Sequence, residues 1–220
     1  MKLTDKKVIL LDLDGTISDP GLGIAGAARH ALSSLGIEEN DPERLRSLIG
    51  PPLSESFRKF YGMDEDTIAA ATRTFREYYA EHGLYENTIY PGAAELLRRL
   101  HSAGRILLLA TSKPEPFARH IVESFGLTEY FTFVGGSCMD ETRTDKDLVI
   151  EYCLENAGIT DRSSCIMVGD RRHDVEGARK QNIDCIGVLY GYGGLEELEG
   201  AGTIAIAEDI DVLGKLLLGE

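Results

Sequence analysis

The stretch Val8-Ile9-Leu10-Leu11-Asp12-Leu13-Asp14-Gly15-Thr16 decides the reading of this chain. Four consecutive apolar residues run into two aspartates with one residue between them, and a glycine follows at once. A continuous apolar run, with no polar alternation, suits a strand covered on both faces. Four more such runs lie downstream, at residues 106–110, 130–134, 165–168 and 185–190, with a weaker one at 203–207. Helical periodicity fills most of the intervals. Residues 91–101 carry Leu96, Leu97 and Leu100; residues 114–125 carry Phe117, Ile121, Val122 and Phe125 before Gly126. Residues 146–157 carry Val149, Ile150, Cys153 and Leu154 before Gly158, with Thr144 and Asp147 in the pattern of a capping box. Strand–helix–strand repetition predicts an α/β fold, a doubly wound, Rossmann-like parallel sheet.

One interval breaks the rhythm. Gly15 to Gly104 spans 90 residues, far more than one crossover helix needs. It carries helical patterns of its own, near 20–35, 42–49, 53–60 and 65–82, and no strand pattern. Asp41-Pro42 opens a helix, and Gly50-Pro51-Pro52 breaks one. The turn Gly50-Pro51-Pro52-Leu53 reads equally as a helix–helix connection or as a substrate contact. The expectation is a helical cap domain at 17–85, inserted into a core domain formed by 1–16 and 86–220.

The 220 residues are 43% hydrophobic and 27% charged, ordinary for a folded globular chain. Acidic residues outnumber basic ones 37 to 23, a net charge of −14, which argues against a nucleic acid polymer or an anionic membrane as partner. A site for an anion must therefore supply its own local positive charge. The cysteines Cys138, Cys153, Cys165 and Cys185 form no CxxC pair, and the five histidines form no HExxH. The cysteines read as reduced residues of a cytoplasmic protein. Lys6 and Lys7 precede too short an apolar run for a signal peptide, and no run approaches the ~18 residues of a membrane span. A monomer or weak homodimer is expected.

In parallel α/β sheets, ligands bind beyond the carboxyl ends of the strands. The residues that follow the apolar runs are therefore the candidates. They are Asp12, Asp14 and Thr16 after the first, Thr111, Ser112 and Lys113 after the second, and Asp170 and Asp174 after the fourth. Lys146 opens the helix after the third. Carboxylates this close require a cation among them, and oxygen-only ligands favour a hard ion such as Mg²⁺. Hydroxyls and an ammonium beside that ion would bind a phosphoryl group. The set reads as phosphoryl transfer, in which positioning and charge neutralisation supply most of the rate. Rival readings fail on particular residues. A P-loop would need GxxxxGK[ST], which is absent, and an EF-hand would need glycine where Ile17 stands.

Asp12-Leu13-Asp14-Gly15-Thr16, Thr111-Ser112, Lys146 and Gly169-Asp170 with Asp174 resemble, in order, the four motifs of the haloacid dehalogenase superfamily of phosphohydrolases. Ile89-Tyr90-Pro91-Gly92 and Gly187-Val188-Leu189-Tyr190-Gly191-Tyr192-Gly193 resemble its phosphoglycolate phosphatase and 5′-nucleotidase-like branch. The likeness covers essentially the whole chain, and the insert resembles the family's mobile helical cap.

The resemblance implies that Asp12 is the nucleophile that forms an aspartyl-phosphate, and Asp14 the general acid/base. Two residues apart on an extended chain, both can face one phosphate. Thr111, with Ser112, would hydrogen-bond the phosphoryl group, and Lys146 would neutralise it. Mg²⁺ would be held by Asp12, Asp170 and the backbone carbonyl of Asp14, with Asp174 ligating or orienting from behind. Many relatives place proline after the lysine; here Asp147 follows Lys146, which makes Lys113 a rival for that role. The expected activity is Mg²⁺-dependent hydrolysis of a small phosphate monoester, of the phosphoglycolate, nucleotide or sugar-phosphate type. A sugar phosphomutase on the same scaffold is the alternative, followed by a non-catalytic phosphate-responsive module. Asp14 argues against a dehalogenase, which needs no such acid/base.

Overall fold

A computed structural model describes residues 3–140 and 142–219. The elements run β1 (Val8–Leu11), β2 (Ser18–Asp19), α1 (Gly21–Ser34), α2 (Pro42–Ser47), α3 (Leu53–Tyr61), α4 (Glu65–Glu81), β3 (Thr88–Ile89) and α5 (Ala93–Ser102). They continue β4 (Ile106–Pro114), α6 (Glu115–Ser124), β5 (Phe133–Ser137), α7 (Lys146–Asn156), β6 (Cys165–Gly169), α8 (Arg172–Lys180), β7 (Asp184–Val188), α9 (Leu195–Ala201), β8 (Ala205–Ala207) and α10 (Ile210–Leu218). Six strands form one parallel sheet in the order β5-β4-β1-β6-β7-β8. Numbered within that sheet alone, this is the doubly wound order 3-2-1-4-5-6.

β1 is central. Val8 pairs with Ile106 of β4 on one side and Cys165 of β6 on the other. All four of its residues are buried, which explains the unbroken apolar run. Val8 and Leu10 join Val149, Ile150 and Cys153 of α7 and Val175 and Ala178 of α8 in one core cluster. Each buried Leu, Ile or Val of this kind contributes roughly 1.5–3 kcal/mol.

The chain divides into two compact units, one of which is Asp19–Thr88. The crossings fall at 18/19 and 88/89, two to three residues later than the boundaries read from sequence. Both lie in a two-stranded ribbon formed by β2 and β3. Within the inserted unit, Asp41 caps α2 and Asp64 caps α4 through their side chains. Leu32, Phe57, Met63, Ile68 and Ala71 form its core. Gly50 takes a positive φ of 102° in the turn before α3.

Two local expectations need correction. The third strand is Phe133–Ser137 and not 130–134; Thr128–Tyr130 is a single 3₁₀ turn. Gly135 and Gly136 give no apolar signal, yet they belong in the strand. A Cβ at Gly135 would overlap Cys153, and one at Gly136 would crowd the Lys113 carbonyl and Glu115. The capping box of Thr144 and Asp147 does not form: Asp145 is the N-cap of α7 and makes no side-chain cap. Asp147 instead accepts Lys180 Nζ of α8 at 3.0 Å.

Candidate active site

The strand order reverses between β1 and β6, and in open α/β sheets ligands bind at such a reversal, beyond the carboxyl ends of the strands. Asp12 follows β1 directly, and Asp170 follows β6. Asp12 N–H donates to Val168 O at 2.9 Å, which fixes the two strand ends together. Gly15 turns the chain out of the strand with φ 85°. No larger residue fits there, because a Cβ would overlap the Asp170 carboxylate.

Asp12, Asp170 and Asp174 each offer a carboxylate oxygen within 4.8 Å of the others. All three are buried. Lys146 Nζ lies 3.0 Å from Asp12 Oδ1 and 2.7 Å from Asp174 Oδ1, and donates to Ala110 O at 3.0 Å. Its position depends on Gly177 of α8, where a Cβ would lie 2.8 Å from Lys146 Cβ. Gly177 went unread in the sequence; an isolated glycine inside a helix, costing ~1 kcal/mol against alanine, is the kind of signal that marks such a close approach. Gly169 plays the same part for Asp174, whose carboxylate a Cβ there would overlap.

Asp14 pairs with a different cation: Lys113 Nζ donates to its Oδ2 at 2.6 Å. The two lysines thus occupy separate positions: Lys146 faces Asp12 and Asp174, and Lys113 faces Asp14. Thr111 lies one residue past the carbonyl that receives Lys146, and its Oγ1 accepts Lys113 N–H at 3.2 Å. Ser112, half-buried, makes no hydrogen bond to another site residue among the described residues, as strand alternation with Thr111 and Lys113 dictates.

The electrostatics are those of a buried, anion-rich cluster. Burial pushes the Asp170 carboxyl well above the usual carboxylate range, and the facing Asp174 and Asp12 push it further. Burial also raises Asp174 and Asp14, against the pull of Lys146 and Lys113 respectively. Burial alone would depress the Lys146 ammonium, but Asp12 and Asp174 outweigh it and hold its pKa above the ordinary value. Three carboxylates against one ammonium leave about two negative charges to balance when all are ionised. Asp170 Oδ1 is buried with no hydrogen-bond donor among the described residues. A divalent, oxygen-preferring cation fits this donor set. Asp174 fits a supporting place, because Lys146 holds its Oδ1 and Arg171 N–H donates to its Oδ2 at 3.0 Å.

The haloacid dehalogenase-like hydrolase family model matches residues 9–188. A 5′-nucleotidase of Pseudomonas aeruginosa is 42% identical over 95% of this chain and 94% of its own. The tyrosine-protein kinase PtkA of Mycobacterium tuberculosis is 34% identical over 96% of this chain and 72% of its own. A crystal structure of a predicted phosphatase from Clostridium acetobutylicum superposes with a TM-score of 0.94 at 39% identity, covering 98% of this chain and 99% of that one. The chain belongs to the haloacid dehalogenase-like hydrolase family. Within it, the chain is an enzyme of the phosphoric monoester hydrolase class. No helix among the described residues is long and apolar enough to cross a membrane, and all four cysteines are free.

Proposed function

We propose that this enzyme hydrolyses a small phosphate monoester through an aspartyl-phosphate on Asp12, with Mg²⁺ bound beside it. The observation that carries the reading is the buried Asp12 carboxylate at the tip of the central strand, flanked by Lys146 and by two further aspartates. Both side-chain contacts of Asp12 fall on Oδ1, from Leu13 N–H at 2.8 Å and from Lys146 at 3.0 Å. Oδ2 is left to attack phosphorus. The new P–O bond forms as the ester P–O bond breaks, and Asp14 gives a proton to the departing alcohol. Asp14 then takes a proton from water as the water oxygen attacks phosphorus, which releases inorganic phosphate and restores Asp12. Thr111 would hydrogen-bond the phosphoryl oxygens, and Lys146 would hold their charge throughout. Asp12, Asp170 and the Asp14 backbone carbonyl would hold Mg²⁺, which supplies further neutralisation of the phosphoryl group.

The inserted unit Asp19–Thr88 fits the part of a lid that selects the substrate. It leaves and rejoins the other unit through one ribbon, and it begins five residues after the acid/base Asp14. The likeness to a 5′-nucleotidase makes nucleoside 5′-monophosphates the first esters to test, followed by phosphoglycolate and hexose phosphates. Phosphate release should occur from at least one class, with kcat/KM at least ~10-fold above the others. Transfer to a second hexose phosphate without free phosphate would establish the mutase alternative. Phosphorylation of a protein tyrosine, as the name of the mycobacterial relative describes, would displace the hydrolase reading.

EDTA should lower the rate by about 100-fold or more, and Mg²⁺ should restore it. Ca²⁺ should restore little, because its longer bonds and higher coordination number misplace a nucleophile that is also a ligand. Full activity in metal-free buffer would overturn the metal assignment. Asp14→Asn keeps the nucleophile but loses the proton carrier. It should cost about 10²-fold or more on an alkyl phosphate, and less in the first step with nitrophenyl phosphate, whose leaving group needs no proton. Equal losses on both esters in single-turnover measurements would remove Asp14 from that role.

A further inference from the structure

Tyr190-Gly191-Tyr192-Gly193 follows β7, and no step derived above uses it. Its backbone packs against the Asp170 side chain. Tyr192 N–H donates to Asp170 Oδ2 at 2.7 Å. A Cβ at Gly191 would overlap Asp170 Cβ and the Gly15 carbonyl, and one at Gly193 would overlap the Asp170 carbonyl. Gly15 stands close as well, and its own added Cβ would meet the same carboxylate. Asp170 is therefore crowded by two stretches of backbone that only glycine allows so near. Tyr190 O–H donates to Thr16 O at 3.1 Å, which ties this loop to the turn that follows Asp14. A carboxylate free to rotate presents either oxygen. Here one oxygen is taken by a fixed backbone donor, and Oδ1 is left buried and without a donor among the described residues.

We infer that the Tyr190–Gly193 loop is a positioning element for the metal site, which locks the Asp170 carboxylate so that Oδ1 is presented to a divalent cation. The inference rests on the metal reading above. Its ligand chemistry is a hard divalent ion; its working parts are the Tyr192 N–H, the missing side chain at Gly191 and the Tyr190 hydroxyl. Groups that orient a ligand from behind typically govern metal affinity by about 10–100-fold. A loop with a merely structural role would change the melting temperature of the metal-free protein while the folded fraction bound metal as before.

The test is direct binding to the full chain, with Mn²⁺ followed by electron paramagnetic resonance and Mg²⁺ by calorimetry. Gly191→Ala should raise the Kd by about 10–100-fold. Gly194→Ala is the control, because its added Cβ meets no atom within 4 Å and its backbone has φ −102°, which any residue adopts. Its Kd should stay within about twofold of the parent. Tyr190→Phe covers the case in which Gly191→Ala does not fold. It keeps the ring that packs against Tyr90 at 5.1 Å between centroids and loses only the bond to Thr16. Its Kd should rise roughly threefold or more, as the loss of one neutral hydrogen bond implies. An unchanged Kd in folded Gly191→Ala, or in Tyr190→Phe where the first does not fold, overturns the inference alone. Absence of any binding to the parent protein overturns the metal reading and this inference together.

Discussion

Asp12→Asn is expected to end multiple turnover, lowering kcat by more than about 10⁴-fold. An amide nitrogen or oxygen forms no acyl-phosphate, and the substitution also removes a ligand from the proposed metal set. The fold should survive, because asparagine is isosteric and its amide oxygen can still accept Leu13 N–H and Lys146, which now donate to Asp12 Oδ1. The readout is phosphate release together with mass spectrometry of the denatured protein after brief exposure to substrate. The parent should show a phosphorylated fraction and the variant none. Steady turnover by a homogeneous Asp12→Asn preparation would refute the nucleophile assignment, since no other carboxylate ends the central strand.

Lys146→Met should also be severe, for two separable reasons. The ammonium is buried between Asp12 and Asp174, so removing it leaves two buried carboxylates without their cation. Breaking one partner of a buried ion pair typically costs about 3–5 kcal/mol. For a chain of this size that is roughly 6–20 °C in melting temperature. The second reason is chemical: one source of charge neutralisation at the phosphoryl group is lost, worth about 10²–10³ in kcat. Thermal melts in metal-free buffer isolate the first effect, and assays well below the new melting temperature isolate the second. A variant that melts with the parent and turns over at the same rate would remove Lys146 from both roles. Lys113 would then be the stronger candidate for phosphate binding.

Much of the candidate site was legible because its residues are anchored to strand ends, and buried parallel strands announce themselves as apolar runs. Val8–Leu11 led directly to Asp12, and residues 165–168 led to Asp170. What was not legible depends on neighbours distant in sequence. Lys113 and Lys146 looked like rivals because Asp147, where many relatives have proline, follows Lys146. Only the packing shows that Gly177 lets Lys146 reach Asp12 and Asp174, while Lys113 meets Asp14. Thr144 and Asp147 carry a valid capping signal, but Lys180 on the adjacent helix takes the Asp147 carboxylate. The strand at Phe133–Ser137 hid behind Gly135 and Gly136, whose lack of side chains is a packing requirement and has no hydrophobic signature.

The pairing of β1 has a consequence for how the chain reaches this fold. Its two partners, β4 and β6, begin 98 and 157 residues away along the chain, so the centre of the sheet is built wholly from contacts of high sequence separation. Such topologies fold slowly, because loop closure precedes any gain from pairing. The inserted unit shortens the search. Its helices make their core from contacts within Asp19–Thr88, and its two ends meet in the β2–β3 ribbon. Once that unit has collapsed, the long connection from β1 to β4 behaves as a much shorter loop, and the entropy of closing it falls with the logarithm of its effective length. The same insert that separates the first strand from its partner in sequence thereby returns it within reach.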